Sequence, residues 1–546
     1  LSSSSYQLKD GNRPPPEIST KNENVFTFPS LSQNNHRVLL WTSLFQHLQT
    51  KDSAAVHTLC LAAIRILGRD KTDLESMICE KWINVLVERA GLYNFVDLDD
   101  ESMVPVEIAS KDVAVEALKC LCNITYQSEV ARALCAHTSI AQGLISRLRV
   151  YKDIPYKEDL MLYDMKLLFI LTALREDIKL KIKDEYHGMD YLTSTLNELM
   201  LEATMNQIKE PQSSSVEGVQ DRHCWLNYER QAIVCEILKA QFNLILNSGS
   251  EEPGDEAEET MYLKLMPGIT AVLLSFTNST EKLMELHSNV VNLLTSVPSR
   301  FYIFLTPELT AGEIALNKYD NRNMDALQAL VNFLRHKLTI TTGAKNQYES
   351  LSPILTVMNQ CARGSRTHRK YLRLEVLPPL VDVDSPPEKG QTLRNQLCRL
   401  LTTPVTTVRD LVAKFLFVLC KEKVSRLVKY TGFGNAAGHL AQMGLLGGGR
   451  PGQYSSSSED SDTEEYREAA DRIDPVVGCV RPPRFDPFEG MSEEQKEYEA
   501  MRLVNLFDRM VTAGVVVPAR VGADGRPQPA SHVLELREEP PNRPKS

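Results

Sequence analysis

The sequence predicts an all-α protein: an armadillo/HEAT-like solenoid of helical repeats, followed by a flexible C-terminal tail carrying one extra amphipathic helix. Two observations predict it. Apolar residues recur at helical spacing from about Arg37 to about Leu446, while alternating period-2 segments are almost absent. Segments of similar apolar texture return every roughly 40 to 70 residues, the range of armadillo and HEAT units once loops are inserted. At 546 residues the chain is too long for one compact core and long enough for a stack of units.

Taken in order, residues 1–24 are Ser/Pro-rich, polar and expected to be disordered. The chain opens on Leu1 and is expected to be truncated there; this segment has no apolar h-region and is not a secretory signal. The solenoid is expected over 25–446. Its apolar helices include Ala62–Leu67, Val113–Ile124, Lys166–Arg175, Cys235–Ile245, Asn289–Val297, Leu327–Leu334, Ile354–Arg363 and Leu411–Cys420. In Val113–Ile124, the residues Val115, Leu118 and Cys122 fall on one stripe at i, i+3, i+7. No such unit can bury its own apolar face, so neighbours must stack and leave a long binding surface. Lys209–Arg222 and the acidic Glu251–Glu259 read as inserted loops. Gly432, Gly434 and Gly438 read as a helix-ending turn followed by a new helix start.

Residues 447–490 read as a Gly/Ser-rich, then acidic, regulatory linker. Over 491–512 a further helix is expected. Ser492 and Gln495 form an S-x-x-Q capping box, and Leu503, Leu506, Phe507 and Met510 make an apolar stripe flanked by Met501 and Val504. A detached amphipathic helix behind a tether docks either on its own solenoid or on a partner. Residues 513–546 are Pro/Gly-rich and expected to be disordered.

The composition narrows the function. Net charge is -10, without the long basic stripe of a duplex-binding protein, so nucleic acid is disfavoured. No apolar run reaches the roughly 20 residues that span a bilayer. The 11 cysteines lie mostly in apolar helical runs and read as reduced, buried thiols of a cytosolic protein. Cys120 and Cys122 are spaced C-x-C, which on a helix points the two side chains apart, so no metal site is expected. Walker A, H-E-x-x-H, G-x-S-x-G and kinase signatures are all missing, and no nucleophile–base set converges; no cofactor and no catalytic residue are expected.

Three features point to binding and regulation. Asn123, Asn243 and Asn292 each stand near an apolar helix. Such amides can bind the backbone of a docked peptide, or else bond a helix end or loop, the reading favoured for Asn292. Ser455–Tyr466 interleaves hydroxyls with acids: Ser456, Ser457 and Ser461 each have a carboxylate three residues on, and Thr463 precedes two glutamates. An acid-directed kinase of the casein-kinase-two type selects that pattern. Arg363, Arg366, Arg369, Lys370 and Arg373 form a basic run that could receive the phosphates, or is simply a solvated face.

The blocks Lys429–Arg450, Asp462–Ala469 and Met491–Asp508, with Glu116–Asn123, Leu167–Arg175, Glu285–Val297, Val376–Leu380, Lys414–Cys420 and Phe26–Phe28, resemble the synembryn family in order along nearly the whole chain. That family comprises cytosolic chaperones and receptor-independent exchange factors for heterotrimeric G-protein α subunits. The resemblance implies a concave groove holding the client's C-terminal helix, lined by Arg65, Arg69, Asn123 and Phe169, with Asn243 added from the residue pattern. It implies that the helix near Ser492–Met510 supports the client's nucleotide-binding domain, with Ser456 and Ser461 as regulatory sites. A cytoplasmic monomer, recruited to the cell cortex through membrane-associated α subunits, is the expected form. The alternative is a generic armadillo-type scaffold that binds extended peptides.

Overall fold

The computed structural model describes residues 26–32, 35–92, 108, 110–154, 156–209, 224–246, 256–310, 313, 315–340, 344–446, 463–480, 490–522 and 524–530. The structure is an all-α helical repeat whose few strands are two or three residues long. Its contacts divide the chain into two compact units, Leu1–Val297 and Pro298–Ser546. The single span expected over 25–446 is thus split where Pro298 leads into the 3-10 turn Ser299–Leu305.

The first unit contains α1 (Pro29–Ser32), α2 (His36–Leu48), α3 (Ala54–Leu67), α4 (Leu74–Met77), α5 (Glu80–Arg89), α6 (Lys111–Gln127) and α7 (Glu129–Cys135). It continues through α8 (Ile140–Val150), α9 (Lys157–Leu174), α10 (Glu176–Leu180), α11 (Gly188–Lys209), α12 (Tyr228–Ile245), α13 (Glu256–Leu273) and α14 (Thr280–Leu294). β1 (Trp225–Leu226) pairs in parallel with β2 (Phe276–Thr277). One row of helices stacks serially: α3 on α6, α6 on α9, α9 on α12, α12 on α14. A second row packs α8 on α11 and α11 on α13.

Local chemistry starts these helices. Ser128, Asn227 and Ser279 cap α7, α12 and α14, each accepting a bond from the backbone N–H three residues on. Packing then holds them. Leu61, Ile64, Leu118, Leu121, Leu167, Leu171, Leu238 and Leu286 are essentially unexposed. Each such side chain contributes about 1.5–3 kcal/mol by leaving water. Leu118 and Cys122 occupy the expected buried stripe, but Val115 is only half-buried, because it lies toward the open side of α6.

The C-x-C pair does point apart. α6 lies between α3 and α9, and the Cys120 thiol donates to Leu61 O (3.1 Å) while that of Cys122 donates to Tyr163 O (3.5 Å). Burial raises the pKa of both thiols. Deeper in the unit, Arg147 and Asp164 form an ion pair with neither side chain exposed. Arg147 Nη1 lies 2.9 and 3.1 Å from the two carboxylate oxygens, and Tyr151 Oη donates to Asp164 at 2.6 Å.

The second unit contains the hairpin of β3 (Lys318–Tyr319) and β4 (Arg322–Asn323), then α15 (Asp325–Ile340), α16 (Ala344–Gly364) and α17 (Arg366–Val376). α18 (Leu393–Leu400), α19 (Thr406–Leu419), α20 (Val424–Thr431), α21 (Phe433–Gln442) and α22 (Glu464–Ala469) follow. α16 packs on α15, α17 and α19, and α19 packs on α20 and α21. The expected turn at Gly432 is present: its φ is 73° and it separates α20 from α21.

Two sequence expectations need correction. Within the span read as linker, residues 463–480 hold α22 and the hairpin of β5 (Ile473–Asp474) with β6 (Cys479–Val480). Within the span read as a disordered tail, β7 (Ala519–Val521) pairs with β8 (Pro527–Pro529). Both hairpins are too short to show as strands in the pattern; the ends of another helix hold them. Between them runs α23 (Glu493–Thr512), with the capping box the sequence predicts. Gln495 N–H donates to Ser492 Oγ (3.3 Å), and Ser492 N–H donates to Gln495 Oε1 (3.1 Å).

Candidate functional site

In the first unit, α6, α9 and α12 each leave one narrow stripe outside the core, and α3 and α14 at the two ends of the row leave a wider one. The stripes meet along the stack. Arg65 of α3 reaches the Glu116 carboxylate of α6 at 2.9 Å, and Lys119 reaches the same group at 2.6 Å. Lys119 Nζ lies 5.2 Å from the centroid of the Tyr163 ring of α9. Lys239 of α12 lies 5.6 Å from the centroid of the Phe169 ring and 3.0 Å from Glu236. On α14 the Lys282 amine, 2.8 Å away, is the main cause holding the Glu285 carboxyl below its usual range. The result is a band of alternating charge with aromatic rings set between the cations, chemistry that suits a helix with one polar and one apolar face.

The five residues expected to line the groove all lie among the described residues. Arg65 and Phe169 sit on this band, half-buried. Arg69 lies one turn beyond Arg65, its guanidinium 5.7 Å from the Phe26 ring centroid. The Phe26–Phe28 segment is held there, because Phe28 N–H donates to the Asp70 carboxylate at 2.9 Å. Asn123 and Asn243 use their amides on neighbouring helices. Asn123 Nδ2 donates to Arg65 O at 3.5 Å, and Asn243 Nδ2 donates to Phe169 O at 3.2 Å and Thr172 Oγ1 at 3.0 Å. Each ties one stacked helix to the one before it.

Glu116, Lys119, Tyr163, Glu236 and Lys239 belong to the band and were not singled out from the sequence. A signal for four of them exists. Glu116-x-x-Lys119-x-x-x-Asn123 recurs as Glu236-x-x-Lys239-x-x-x-Asn243, and Glu285 and Asn292 keep the same outer spacing. The i, i+3 acid–base pair and the Asn seven residues after the acid thus mark equivalent turns of equivalent helices.

The second unit presents a different surface. No residue of α23 is buried. Met501, Leu503, Val504, Leu506 and Phe507 are 47 to 65% exposed, and Met510 is half-buried. Five large apolar side chains thus stay exposed on this one helix. Of the basic run, Arg363 and Arg366 are exposed and Arg369, Lys370 and Arg373 half-buried; Arg369 donates to Ala362 O at 3.0 Å. Ser456, Ser457 and Ser461 lie outside the described residues. Thr463 lies inside them as the N-cap of α22. Its hydroxyl donates to Leu380 O and accepts from Tyr466 N–H at 3.1 Å. Among the described residues, no group of three or more His, Cys, Asp and Glu side chains gathers as metal ligands, and no helix is long and apolar enough to cross a membrane.

A row of stacked helices carrying paired charges and rings, with an unburied amphipathic helix in the same chain, defines a helical-repeat protein. Comparison with known proteins narrows the class. The pattern of the Ric8 family, described as guanine nucleotide exchange factor synembryn, matches residues 60–526. Chaperone Ric-8 of Drosophila melanogaster is 36% identical over 96% of this chain and 94% of that protein. Chaperone Ric-8A of Danio rerio is 39% identical over 92% of this chain and 89% of its own. The chain belongs to the synembryn family. Among solved structures, a chain in the crystal complex of SYS-1 and POP-1 aligns with 72% of this chain and 57% of its own, at 12% identity and a TM-score of 0.40.

Proposed function

We propose that this chain is a receptor-independent guanine nucleotide exchange factor and folding chaperone for heterotrimeric G-protein α subunits, with no catalytic site of its own. The observation that carries the reading is the family match over residues 60–526. The client's C-terminal helix lies on the band formed by α3, α6, α9, α12 and α14, where Arg65, Lys119 and Lys239 meet its polar side and Tyr163 and Phe169 its apolar side. α23 supports the client's nucleotide-binding domain through Leu503, Leu506 and Phe507.

The mechanism is differential affinity. An α subunit holds GDP tightly while its own C-terminal helix packs on its own sheet. A chain that grips that helix better when it is pulled away shifts the client toward an open form. Moving that equilibrium from 1:99 to 99:1 needs about 5.5 kcal/mol of preference, within reach of a helix in a groove plus a second contact. By reciprocity, GTP with Mg2+ closes the client and weakens the complex. The same hold on a partly folded client serves chaperoning.

The reading places the chain in the cytoplasm as a monomer, brought to the cortex by membrane-associated clients. An acid-directed kinase of the casein-kinase-two type modifies Ser456, Ser457, Ser461 and Thr463, and the phosphates pair with the basic run from Arg363 at the end of α16 to Arg373 in α17. The rival, a scaffold for extended peptides, depends on Asn amides free to bind a peptide backbone. Those of Asn123 and Asn243 donate to neighbouring helices instead. The test is GDP release from purified α subunits of several classes, with and without this chain, alongside capture of the nucleotide-free complex. Faster release, and a complex that GTP and Mg2+ dissolve, support the proposal. No acceleration and no complex with any class would leave the scaffold as the better account.

A further inference from the structure

Both short hairpins that flank α23 are seated on one helix, α21. At its start, Gly432 has no side chain to cap the first turn. The orphan amides of Phe433 and Gly434 donate instead to Pro475 O (2.8 Å) and Val476 O (2.9 Å), carbonyls in the β5–β6 turn. The approach is backbone on backbone. A Cβ on Gly432 would stand 2.9 Å from Val477 O, and one on Gly478 would stand 2.9 Å from Gly432 Cα. Val480 N–H also donates to Val383 O at 2.8 Å, fixing the hairpin's far strand.

At its end, α21 closes on Gly444, φ 69°, with Leu445 N–H donating to Leu440 O at 2.8 Å. The next residue, Leu446, donates its N–H to Gly525 O at 3.2 Å, in the β7–β8 turn. A Cβ on Gly525 would collide with the Gly444 carbonyl, and one on Gly444 would stand 3.0 Å from Asp524 O. The two seats are therefore about 15 Å apart, the length of a ten-residue helix. α23 buries no residue of its own, and the described residues 513–518 join it directly to the β7–β8 hairpin.

We propose that α21 is the mount for α23, and that the backbone contacts Gly432–Gly478 and Gly444–Gly525 are positioning contacts that hold α23 in the pose that meets the client. The proposal rests on the reading that α23 touches the client. Preorganising a binding element removes its ordering cost from the binding step, so loosening a seat shortens the life of the complex. It also gives a role to Gly432 and Gly444.

The test uses the full chain. Gly525→Ala unseats β7–β8, and Gly444→Ala does so from the helix side. Gly490→Ala is the control, because Gly490 has a φ of 85° and nothing within 4 Å of its added Cβ. It carries the same left-handed strain without a neighbour. Spin labels at Gln442→Cys and Arg502→Cys, in a Cys79→Ser background, report the stance of α23 by pulsed electron resonance without any client; Cys79 is the exposed native cysteine and the other ten are buried. The parent and Gly490→Ala give one narrow distance distribution, and Gly525→Ala and Gly444→Ala give a broad one. In the same two variants the nucleotide-free client complex dissociates about tenfold faster, and in Gly490→Ala at the parental rate. A distribution that stays narrow in both seat variants overturns the mount. A broad distribution with an unchanged complex lifetime overturns the client contact of α23, and the proposal with it.

Discussion

Replacing Arg147 by Met tests how the first unit is held together behind its charged band. Arg147 and Asp164 have no exposed side-chain surface. Arg147 meets both carboxylate oxygens and also donates to Ala90 O and Gly91 O, joining the end of α5 to α8 and α9. Arg147→Met leaves the carboxylate with the Tyr151 hydroxyl as its remaining side-chain donor and strips both carbonyls of that partner. Removing one member of such a pair costs about 3–5 kcal/mol, because the survivor is a buried, uncompensated charge. Asp164→Leu costs a similar amount, stranding the guanidinium. The double variant loses much less than the sum, because no charge is left behind. The assay is urea unfolding followed by tryptophan fluorescence, since all three tryptophans, Trp41, Trp82 and Trp225, lie in the first unit. A double-mutant cycle separates the pair from its surroundings. A loss below about 1 kcal/mol for Arg147→Met, or single losses that add up to the double, would refute the reasoning.

Lys239→Glu sets a carboxylate against Glu236 and removes the cation from the Phe169 ring; the GDP release that this chain stimulates from its client falls about tenfold while helix content by circular dichroism stays the same. Leu503→Asp with Phe507→Asp leaves the thermal midpoint unchanged, because α23 buries nothing, and speeds dissociation of the client complex about tenfold or more, read by surface plasmon resonance. Burial lowers the pKa of His287 and His368 to about 4, so both are neutral in the fold, while the unfolded chain takes up the proton near 6.5. Stability is therefore full above pH 6.5 and falls as the pH drops toward 4, by about 1.4 kcal/mol per unit for each group. His287→Leu should flatten that acid slope in the tryptophan-detected transition, and an unchanged slope would remove His287 as its source. Treatment with a casein-kinase-two-type kinase protects the tail from protease and alters client affinity in the parent, and does neither when Ser456, Ser457 and Ser461 are replaced by Ala.

What the sequence made legible follows from how local each feature is. The α23 capping box needs only Ser492, Gln495 and the apolar stripe behind them, and all lie within one helix. The divergence of Cys120 and Cys122 is a matter of helical angle alone. Of the band, Arg65 and Phe169 were named through the family resemblance alone; Glu116, Lys119, Glu236 and Lys239 were not named, because their pairs form a row only where stacking brings α3, α6, α9 and α12 together. The hairpins were not legible, because each makes only two or three residue pairs and is held by the ends of α21, about 40 residues or more earlier in the chain for β5–β6 and about 80 for β7–β8. Nor was the Arg147–Asp164 pair, since charges at i and i+17 on separate helices carry no periodic mark.

The serial packing of α3, α6, α9, α12 and α14 has a thermodynamic consequence of its own. Each helix of the row is secured by its immediate neighbours, so the free unit behaves as a one-dimensional array in which the terminal members open first and the interior last. A guest helix laid across several members adds couplings between positions that otherwise do not touch. Occupancy lengthens the cooperative block, and the array melts as one piece at the point where its empty form would fray from the ends.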